Sequence, residues 1–506
     1  MRLGPLLAAA GASLPRDGDA DRAELDVRHV VYDSRRATPG ALFVAVKGFH
    51  RDGHDHAADA VARGAVAVVA ERRLDLRVPV AVVPDSRAAL ADLAAELYEH
   101  PTERLKVVGV TGTDGKTTTV HLISDVLEAA GERTGYATTV DFKAVDHEWD
   151  NETRQTTQEA VEMQEFLAEL VVAGATWGVI EATSHSLALR KLRGCHVDVA
   201  VFTNISPEHL DLHGSLQAYL EAKAVLFDEL LRGHDKGVHK TAVLNADDAR
   251  WSYLAERARP ARTISYGIDA LADVQGNVVR ADSSGSTVEI SAFDASATLE
   301  LPLVGRFNVQ NALAACAAGI AAGASLDQAC AALARARPVR GRLELVEAGQ
   351  PFAVIVDYAH TPASLEKVLA TLRPLTEGRL IAVFGSAGER DREKRPRLAE
   401  VASRLADFFV ITQEDPRLED PGEILREIEA GAIVAGKRRG DDYLVVPDRA
   451  EAIDAAVARA DSGDTVVLCG KGHERSIIVG EEKRPWDEAG AAREALRSRG
   501  FVSAGA

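Results

Sequence analysis

A glycine-rich segment between a strand-like run and a helical run carries the clearest chemical signal. Residues 108–119 read VGVTGTDGKTTT. Phosphate oxygens need several backbone N–H groups converging on them, which glycine permits, and they gain from the positive end of the following helix. Lys116 is expected to contact the β- and γ-phosphates, and the Thr117 hydroxyl to ligate Mg²⁺. The spacing departs from the general phosphate-loop pattern at Val110, where the first glycine is expected. The predicted nucleotide-binding residues of this loop are Gly112, Thr113, Asp114, Gly115, Lys116, Thr117 and Thr118.

A carboxylate, two histidines and a lysine follow further along the chain. Glu181 ends the apolar run WGVIEA, and open α/β sheets place ligand-binding groups at such strand ends. It is a candidate Mg²⁺ ligand, although an isolated glutamate there is commonly just a solvated carboxylate. His209, Asp211 and His213 alternate as zinc ligands can, but no cysteine or clear third ligand accompanies them. Lys223, in EAKAVLF, is by its own chemistry an ordinary helix-surface lysine.

Strand-like runs that alternate with helical runs must position these groups. This alternation predicts an α/β fold with parallel sheets covered on both faces. Residues 262–301 are expected to form a small antiparallel excursion. Beyond Pro338, five apolar runs predict a second doubly wound domain resembling a dinucleotide fold. The predicted domains are 1–103, 104–337 and 338–506. The strand-like runs are HVVYDS, ALFVAVKG, AVAVVAE, LKVVGV, WGVIEA, VDVAVFTN and TAVLNAD, then FAVIVDYAH, RLIAVFG, DFFVITQ, YLVVP and DTVVLCG.

Composition narrows the class of protein. A chain of 506 residues exceeds what a single core usually supports. The net charge of −18 disfavours a general nucleic-acid or anionic-membrane binder, because neutralising phosphates needs surplus cations. The four cysteines are far apart with no CxxC pair, which favours a reducing cytoplasm over a disulfide scaffold. The opening MRLGPLLAAAGASLP is predicted to be an amphipathic helix rather than a signal peptide, and no apolar run reaches the roughly 20 residues of a membrane span.

Taken together, the motifs resemble the MurE family of Mur ligases. TGTDGKTTT, EATSHS, VFTNISPEHLDLHG and EAKAVLF look like the central domain of that family, and DSRRATPGALFVAVKG looks like its first-domain uridine site. The order continues through GRFNVQNALAA, RPVRGRLELV, VDYAHTPASL, VFGSAGERDREKRP and CGKGHE. The resemblance implies a three-domain architecture, with a central parallel-sheet ATPase domain, and a monomeric enzyme of peptidoglycan precursor synthesis.

The resemblance also implies a reaction. ATP phosphorylates the terminal carboxylate of UDP-N-acetylmuramoyl-L-alanyl-D-glutamate, and the amino group of a diamino acid attacks the acyl phosphate. Activation is needed because a carboxylate is a poor electrophile, and the transferring phosphoryl must be neutralised by Lys116 and Mg²⁺. By analogy with the family, Thr117 and Glu181 hold one Mg²⁺. Glu181, His209 and a carbamylated Lys223 hold the second.

Further site residues follow from the same resemblance. Asn308 is expected to approach the adenine, and Arg342 and Asp357 to reach phosphate and ribose. Three positions depart from the family pattern: Gln155 stands where Asn is frequent, Gln158 replaces a usual Pro, and Leu189 replaces a usual Gln. Whether they alter the nucleotide-sugar substrate is open from sequence. The expected contacts of the muramyl substrate are Ser34 for the uridine and Thr156, Thr157 and Thr183 for the peptide and sugar.

The amino acid that is added remains open from sequence. Members of the family that add diaminopimelate carry Asp-Asn-Pro-Arg, whereas this chain has Glu414, Asp415, Pro416 and Arg417. Arg417 could clamp a distal carboxylate bidentately, as diaminopimelate requires. The two acids would instead favour the ammonium of lysine or ornithine, and an incidental Asp-Pro turn is the third interpretation. Other expected contacts to the amino acid are Arg390, Gly470 and Glu474.

Two alternative functions stay open. One is another amide ligase of the same superfamily, although folate ligases begin at the phosphate loop and lack the DSRRATPG segment found here. The other is a catalytically inactive paralogue that binds nucleotide as a regulatory partner. Retention of Lys116, Glu181, His209 and Lys223 together argues against it, because a binding module needs no metal dyad.

Overall fold

The computed structural model contains two compact units. The first comprises Met1–Val278, Val288–Glu300 and Val309–Arg335, and the second comprises Val279–Thr287, Leu301–Asn308 and Ala336–Ala506. The structure describes residues 1–13, 20–48, 51–153, 155–208, 210–282 and 284–502.

The chain begins with a four-stranded parallel sheet in the order β1-β2-β3-β4. Its first helix buries Leu3, Leu6 and Leu7, as the predicted amphipathic pattern requires. The sequence runs predicted the first three strands, whereas the fourth follows Pro79 and is too short to show a period. The elements are β1 (His29–Val31), β2 (Ala41–Val44), β3 (Ala65–Ala70) and β4 (Val80–Val82), with α1 (Leu3–Ala9), α2 (Ala20–Ala23), α3 (Ala57–Ala62) and α4 (Ser86–Leu97).

An eleven-stranded sheet forms the central part of the fold, in the order β15-β14-β13-β12-β11-β10-β5-β9-β6-β7-β8. Its strands are β5 (Lys106–Thr111), β6 (Thr134–Ala137), β7 (Asp141–Ala144), β8 (His147–Asp150), β9 (Trp177–Glu181), β10 (Val199–Phe202), β11 (Thr241–Asn245), β12 (Arg262–Gly267), β13 (Val274–Asp282), β14 (Gly285–Ala292) and β15 (Ala295–Leu301). The helices are α5 (Lys116–Ala129), α6 (Ala160–Val172), α7 (Ser184–Ala188), α8 (Leu210–His213), α9 (Leu216–Arg232), α10 (Trp251–Arg257), α11 (Arg306–Ala322) and α12 (Leu326–Leu333).

Strand β5 lies in the middle of this sheet, parallel to both β10 and β9. Its side chains from Val107 to Thr111 are buried, as expected for a strand covered on both faces. In register, Val110 pairs with Glu181 and Thr111 pairs with Phe202. The carboxyl ends of β9, β5 and β10 therefore meet at one edge of the sheet, where the glycine-rich loop begins.

The expected antiparallel excursion at residues 262–301 is only partly correct. Strands β14 and β15 are separated by two residues, a connection that requires antiparallel neighbours. Strand β12, however, pairs in parallel with β11, and β13 pairs in parallel with β12. The reason is that α10 connects β11 to β12, and a helical crossover returns the chain in the same direction.

The second unit contains a six-stranded sheet in the order β16-β17-β21-β18-β19-β20, and a hairpin of β22 and β23. The five predicted strands are present and pair in parallel, and the antiparallel edge strand β16 is an addition. Helices α13–α15 cover one face of the sheet, and α16 and α17 cover the other. The elements are β16 (Glu344–Leu345), β17 (Ala353–Asp357), β18 (Leu380–Phe384), β19 (Phe408–Ile411), β20 (Tyr443–Val445), β21 (Thr465–Cys469), β22 (Ser476–Val479) and β23 (Glu482–Pro485), with α13 (Pro362–Leu372), α14 (Lys394–Leu405), α15 (Pro421–Val434), α16 (Arg449–Arg459) and α17 (Glu488–Ser498).

The two compact units and the three predicted domains are different divisions of the chain. The last segment of the second unit begins at Ala336, next to the boundary expected at residues 337–338. Residues 1–103 and the segment that follows belong to the same compact unit by their contacts. The division into 1–103, 104–337 and 338–506 stays a prediction.

Candidate active site

The loop that joins β5 to α5 depends on two glycines. Gly112 has a φ of +153°, and a Cβ there would lie 1.8 Å from the Oγ1 of Thr203. Gly115 has a φ of +83°, and its Cβ would lie 2.3 Å from the Oδ1 of Asn311. Side chains at either position would both strain the backbone and collide with neighbours. The loop is therefore a close-packed backbone turn that opens a helix, as a phosphate-binding cradle requires.

The end of β10 holds this loop in place. The backbone N–H of Thr113 donates to the carbonyl of Asn204 over 2.8 Å, and that of Asp114 donates to the Asn204 Oδ1 over 3.1 Å. The Thr203 hydroxyl donates to the Asp114 carbonyl over 2.6 Å. Thr118, in the first turn of α5, is buried. The loop conformation is thus fixed by the neighbouring strand of the same sheet.

Two lysines converge on the carbonyl of Gly112. The Lys116 Nζ donates to it over 3.0 Å and to the Thr113 carbonyl over 2.8 Å. The Lys223 Nζ donates to the same Gly112 carbonyl over 2.6 Å and lies 4.3 Å from the centroid of the Tyr219 ring. Lys223 is 1% exposed, so the interpretation as a surface lysine is wrong. Burial, together with the charge of Lys116, lowers the pKa of Lys223 well below its usual value.

Glu181 lies at the loop's edge, at the end of β9. It is 1% exposed, and its carboxylate accepts from the Thr139 backbone N–H over 2.9 Å and from the Thr139 hydroxyl over 3.2 Å. That hydroxyl also lies 3.0 Å from the Thr156 Oγ1. Thr117 is buried in the first turn of α5. A buried carboxylate and hydroxyls beside a phosphate loop are suitable oxygen ligands for Mg²⁺.

The threonines predicted to contact the peptide and sugar also lie beside Glu181. The Thr157 hydroxyl donates to the Glu181 carbonyl over 2.8 Å, and its Oγ1 lies 3.4 Å from that of Thr183. Thr183 caps α7 by accepting from the Ser186 N–H over 3.1 Å. The structure therefore brings Thr156, Thr157 and Thr183 together, while their roles in binding stay a prediction.

The three departures from the family pattern have local structural roles. The Gln158 side chain is buried and donates to the Gln155 carbonyl over 3.1 Å. The Gln155 Oε1 accepts from the Lys191 ammonium over 3.1 Å. Leu189 ends α7 as its C-cap residue. The hydrogen bonds of the two glutamines thus hold the conformation of the segment on either side of Thr157.

A cavity of about 400 Å³ lies in the N-terminal segment, next to the predicted uridine contact. Ser34 lines it and begins a short 3-10 turn that is capped by Asp33. Arg51, Arg63 and Arg87 also line it, together with Tyr32 and Phe43. Guanidinium groups can pair with phosphates and the partly exposed Tyr32 ring is available for stacking, whereas Phe43 is fully buried; binding of a uridine diphosphate here stays a prediction.

The zinc alternative gains no support from the described residues. His213 is hydrogen-bonded to the Ser184 hydroxyl over 3.1 Å, and its ring lies 5.2 Å from that of Tyr219. His209 lies outside the described residues, as does the side chain of Asp211. The assignment of His209 to the metal site therefore stays a prediction.

The second unit holds the other predicted nucleotide contacts. The Arg342 guanidinium lies 4.8 Å from the centroid of the Tyr358 ring, and its Nε is buried without a hydrogen-bond partner in the described chain. The carboxylate oxygens of Asp357 accept backbone N–H groups of Leu343 and Ala359, so its geometry is fixed. Asn308 donates to the Val304 carbonyl over 2.9 Å.

The segment 414–417 follows β19 and contacts the loop after β21. The Asp415 carboxylate accepts from the Lys471 ammonium over 2.8 Å and from the Ile478 N–H over 3.0 Å. Lys471 also pairs with Glu474. A Cβ on Gly470, whose φ is +111°, would lie 2.9 Å from the Oε2 of Glu414. Asp415 is therefore already neutralised by a lysine of the chain.

Arg417, which is partly exposed, has one buried donor without a partner in the described chain. Its backbone is held at a φ of +54°, with the N–H donating to the Ile478 carbonyl and the carbonyl accepting from Gly480. Its Nε is buried, and no residue of the described chain hydrogen-bonds to it; the same is true of the Glu414 Oε2. The Pro416 carbonyl accepts from the Glu419 N–H over 3.2 Å, whereas the predicted contact Arg390 is exposed.

Sequence reasoning missed several residues that shape the site. Asn311 lies one helical turn beyond Asn308 and receives a hydrogen bond from Thr119 over 3.3 Å. Tyr219 lies one turn before Lys223 on α9, and Thr139 positions Glu181. Spacing of i and i+3 or i+4 on a helix would have indicated the first two. Thr139 carries no such signal, because it reaches Glu181 only through strand pairing.

Comparison with known sequences assigns the chain to a family. The families "Mur ligase family, catalytic domain", "Mur ligase middle domain" and "Mur ligase, glutamate ligase domain" match residues 26–107, 110–319 and 341–472. A UDP-N-acetylmuramyl-tripeptide synthetase of Roseiflexus sp. (strain RS-1) is 51% identical over 94% of this chain and 96% of its own. The chain belongs to the MurE group of Mur ligases. A UDP-N-acetylmuramoyl-L-alanyl-D-glutamate–2,6-diaminopimelate ligase of Geobacillus thermodenitrificans is 44% identical over 99% of this chain and 100% of its own.

Solved structures agree with the three-domain Mur ligase fold. A structure of a UDP-N-acetylmuramoyl-L-alanyl-D-glutamate–2,6-diaminopimelate ligase superposes with a TM-score of 0.69 at 30% identity, covering 99% of this chain and 100% of that one. MurF ligase from Thermotoga maritima in complex with ADP superposes with a TM-score of 0.61 at 22% identity, over 93% of this chain and 97% of its own, which shows a shared fold alone. None of the described helices is long and apolar enough to cross a bilayer.

Proposed function

We propose that this Mur ligase joins meso-diaminopimelate to UDP-N-acetylmuramoyl-L-alanyl-D-glutamate, with conversion of ATP to ADP and phosphate. The observation that carries the proposal is the Nζ of a buried lysine, Lys223, 2.6 Å from the carbonyl of Gly112 in the phosphate loop. A module that only binds nucleotide has no use for a desolvated amine at that position. Two MurE relatives that match 99% and 94% of this chain are named as 2,6-diaminopimelate ligases of the same muramyl substrate.

The reaction proceeds in two transfers. A carboxylate oxygen of the D-glutamate attacks the γ-phosphorus of ATP, ADP leaves, and an acyl phosphate forms. The amine of the incoming amino acid then attacks the acyl carbon, and phosphate leaves as the amide forms. Lys116 neutralises charge on the transferring phosphoryl, and the backbone N–H groups of the loop orient the phosphates.

Two Mg²⁺ ions fit the residues beside the loop. Thr117 and Glu181 would hold one, and Glu181, His209 and a carbamylated Lys223 would hold the other. Glu181 suits this role because it is buried and fixed by Thr139, so it is pre-oriented. Bound Mg²⁺ would supply positive charge against the phosphates during transfer.

Carbamylation of Lys223 fits its surroundings. Burial and the charge of Lys116 depress the pKa of this amine, which favours its unprotonated form, and an unprotonated amine can add to CO₂ to give a carbamate and a released proton. The product carries a negative charge, which removes the conflict of two lysines, Lys116 and Lys223, around one carbonyl. It also supplies an oxygen ligand of the type that Mg²⁺ prefers.

The unpartnered Nε of Arg417 favours diaminopimelate over lysine or ornithine. If a neighbouring acid had neutralised Arg417, the segment would suit an amino acid with a distal ammonium. Instead Asp415 is taken by Lys471, and the Arg417 Nε is buried without a partner in the described chain. A distal carboxylate would complete this guanidinium, and the free Glu414 Oε2 could accept from an amino group of the same ligand.

The muramyl substrate is assigned to the first unit. The cavity at Ser34 would take the uridine diphosphate end, and Thr156, Thr157 and Thr183 would contact the sugar and peptide near Glu181. We place the monomeric enzyme in the cytoplasm, where ATP is available, and the four cysteines are free and buried, as a reducing compartment allows. Its product would feed peptidoglycan synthesis.

A phosphate-release assay tests the proposed function. We expect release only when ATP, the UDP-muramyl dipeptide and meso-diaminopimelate are all present, and at least tenfold less with lysine or ornithine. Arg417→Ala should lower kcat/KM for diaminopimelate about 10²-fold or more, since charge-assisted hydrogen bonds contribute about 1.5–3 kcal/mol each. Arg484→Ala, an exposed arginine on the adjoining hairpin, is the matched control and should behave as wild type. Phosphate release with no muramyl substrate would refute the assignment, as would equal use of all three amino acids.

A further inference from the structure

A second group of metal-binding side chains lies at the opposite edge of the central sheet. Glu103 belongs to the 3-10 turn Pro101–Glu103 just before β5, His196 precedes β10, and His234 follows α9. One carboxylate oxygen and one ring nitrogen of each histidine lie within 4.8 Å of one another. Strands β5 and β10 are parallel, so the group lies at the end of the sheet where both strands begin. The phosphate loop lies at the other end, where both strands finish. The group is therefore separate from the ligase site.

The position of His196 is fixed by its backbone. Its N–H donates to the Thr102 hydroxyl over 3.1 Å, and its carbonyl accepts from the Lys236 ammonium over 2.7 Å. The ring lies 6.2 Å from that of His234 and nearly perpendicular to it. The His196 Nδ1 is buried and has no hydrogen-bond partner among the residues described. A ring nitrogen that has lost water without gaining a partner is costly unless a ligand completes it.

The two lysines nearest the cluster are engaged by other groups of the chain. The Lys236 Nζ lies 2.6 Å from the Asp198 Oδ2, and it donates to the carbonyls of Thr102 and Leu105 over 2.8 and 2.9 Å. Lys240 pairs with the other oxygen of Asp198 over 2.9 Å. The two lysines therefore direct their protons to carbonyls and to Asp198. With the carboxylates of Glu103 and Asp198 included, the formal charge of these four residues is zero.

We propose that Glu103, His196 and His234 form a Zn²⁺ site. Two imidazole nitrogens and one carboxylate oxygen are the donor set of borderline metals, whereas Mg²⁺ and Ca²⁺ prefer oxygen alone. Three protein ligands leave a fourth tetrahedral position for water. The ion would link the turn before β5 to the segment after α9, the helix that carries Lys223. Bound there, the ion would join segments that are distant in sequence, at an open site whose fourth position is left to water.

Zinc titration of the full-length, chelator-treated protein tests the site, with nucleotide and Mg²⁺ omitted. We expect wild type to bind one Zn²⁺ more than His234→Ala, or to bind it at least about tenfold more tightly. His239→Ala is the matched control, because His239 is an exposed histidine of the same segment outside the cluster, and it should bind as wild type. Zn²⁺ bound at the ligase site is common to all variants, so it cancels in the comparison.

Two further measurements separate a built site from nonspecific binding. Co²⁺ in place of Zn²⁺ should give visible tetrahedral bands in wild type and His239→Ala, and these should be lost in His234→Ala and His196→Gln. Phosphate release at saturating Mg²⁺ should be unchanged in His234→Ala, because the cluster lies at the opposite sheet edge from the phosphate loop. Equal Zn²⁺ affinity and stoichiometry in wild type and His234→Ala would overturn the proposal, and so would an equal loss in His239→Ala.

Discussion

Lys223 provides the most demanding test of the proposed metal site. Its Nζ touches the Gly112 carbonyl, and its side chain is buried against the Tyr219 ring. Replacement by alanine removes three buried methylenes, at about 0.8 kcal/mol each, or about 2.4 kcal/mol before any relaxation. Loss of activity in Lys223→Ala could therefore reflect lost stability. Lys223→Met fills the same volume without an amine and separates the two effects.

The expected loss of catalysis in Lys223→Met is large. Removing one preorganised group that stabilises transition-state charge typically costs about 10²–10³-fold in kcat, or about 2.7–4 kcal/mol. We expect this fall in phosphate release, with a free energy of unfolding within about 1.5 kcal/mol of wild type. In the smaller Lys223→Ala, acetate or formate should partly restore activity, because a short carboxylate can replace the lost carbamate.

A matched control is available in the same unit. Lys143 is another buried lysine. Its Nζ lies 2.6 Å from the Glu128 Oε1, and it is not part of the phosphate loop. Any activity that Lys143→Ala loses should not return with acetate. Full activity of Lys223→Met, or equal rescue of both alanine variants by acetate, would refute a carbamate at Lys223.

Three other perturbations have defined outcomes. Lys116→Ala should lower phosphate release at least about 10²-fold while circular dichroism and the thermal midpoint stay close to wild type, because among the described residues its ammonium donates to two loop carbonyls. Near-normal turnover of Lys116→Ala would contradict the assignment of this loop to phosphate binding. Gly112→Ala should lower the free energy of unfolding by about 1–3 kcal/mol in urea titrations, because its Cβ would collide with Thr203, and an unchanged midpoint would contradict that packing. Burial lowers the pKa of His121, but the Asp141 hydrogen bond and charge outweigh it and raise the pKa above 6.5. The stabilisation this gives is complete below about pH 6.5 and is lost as pH rises through the raised pKa, so the stability advantage of wild type over His121→Gln should shrink from pH 5.5 to 8.5.

The positions of the strands were predicted from the sequence better than the pairing of each strand with its neighbours in the sheet. Short continuous apolar runs rich in β-branched residues, such as LKVVGV, favour covered strands, and the strands before the phosphate loop and in the C-terminal sheet lie where expected. The pairing of β12 with β11 was not apparent, because a strand's partner depends on the crossover that precedes it. The short strand Val80–Val82 was missed for want of any period.

Site residues divide in the same way. The spacing of Gly112 and Gly115 predicted that both belong to a phosphate-binding loop. In the structure, a side chain at either position would collide with a neighbouring residue. The burial of Lys223 could not be read from α9 alone, since it arises from packing against the loop of another strand. Nor could the sequence tell that Lys471 pairs with Asp415, a contact across 56 residues, or that the Arg417 Nε is buried without a partner in the described part of the chain.

The most direct test of the central claim is the mass of the product formed in competition. Purified enzyme is incubated with ATP, Mg²⁺, UDP-N-acetylmuramoyl-L-alanyl-D-glutamate and equal concentrations of meso-diaminopimelate, L-lysine and L-ornithine, and the nucleotide products are resolved by mass spectrometry. The buried Arg417 Nε, which has no partner in the described chain, predicts that the diaminopimelate tripeptide predominates by at least about tenfold, as the loss of one charge-assisted hydrogen bond implies. A product containing mainly lysine or ornithine would contradict the assignment of Arg417, and the absence of any tripeptide would contradict the proposed ligase activity itself.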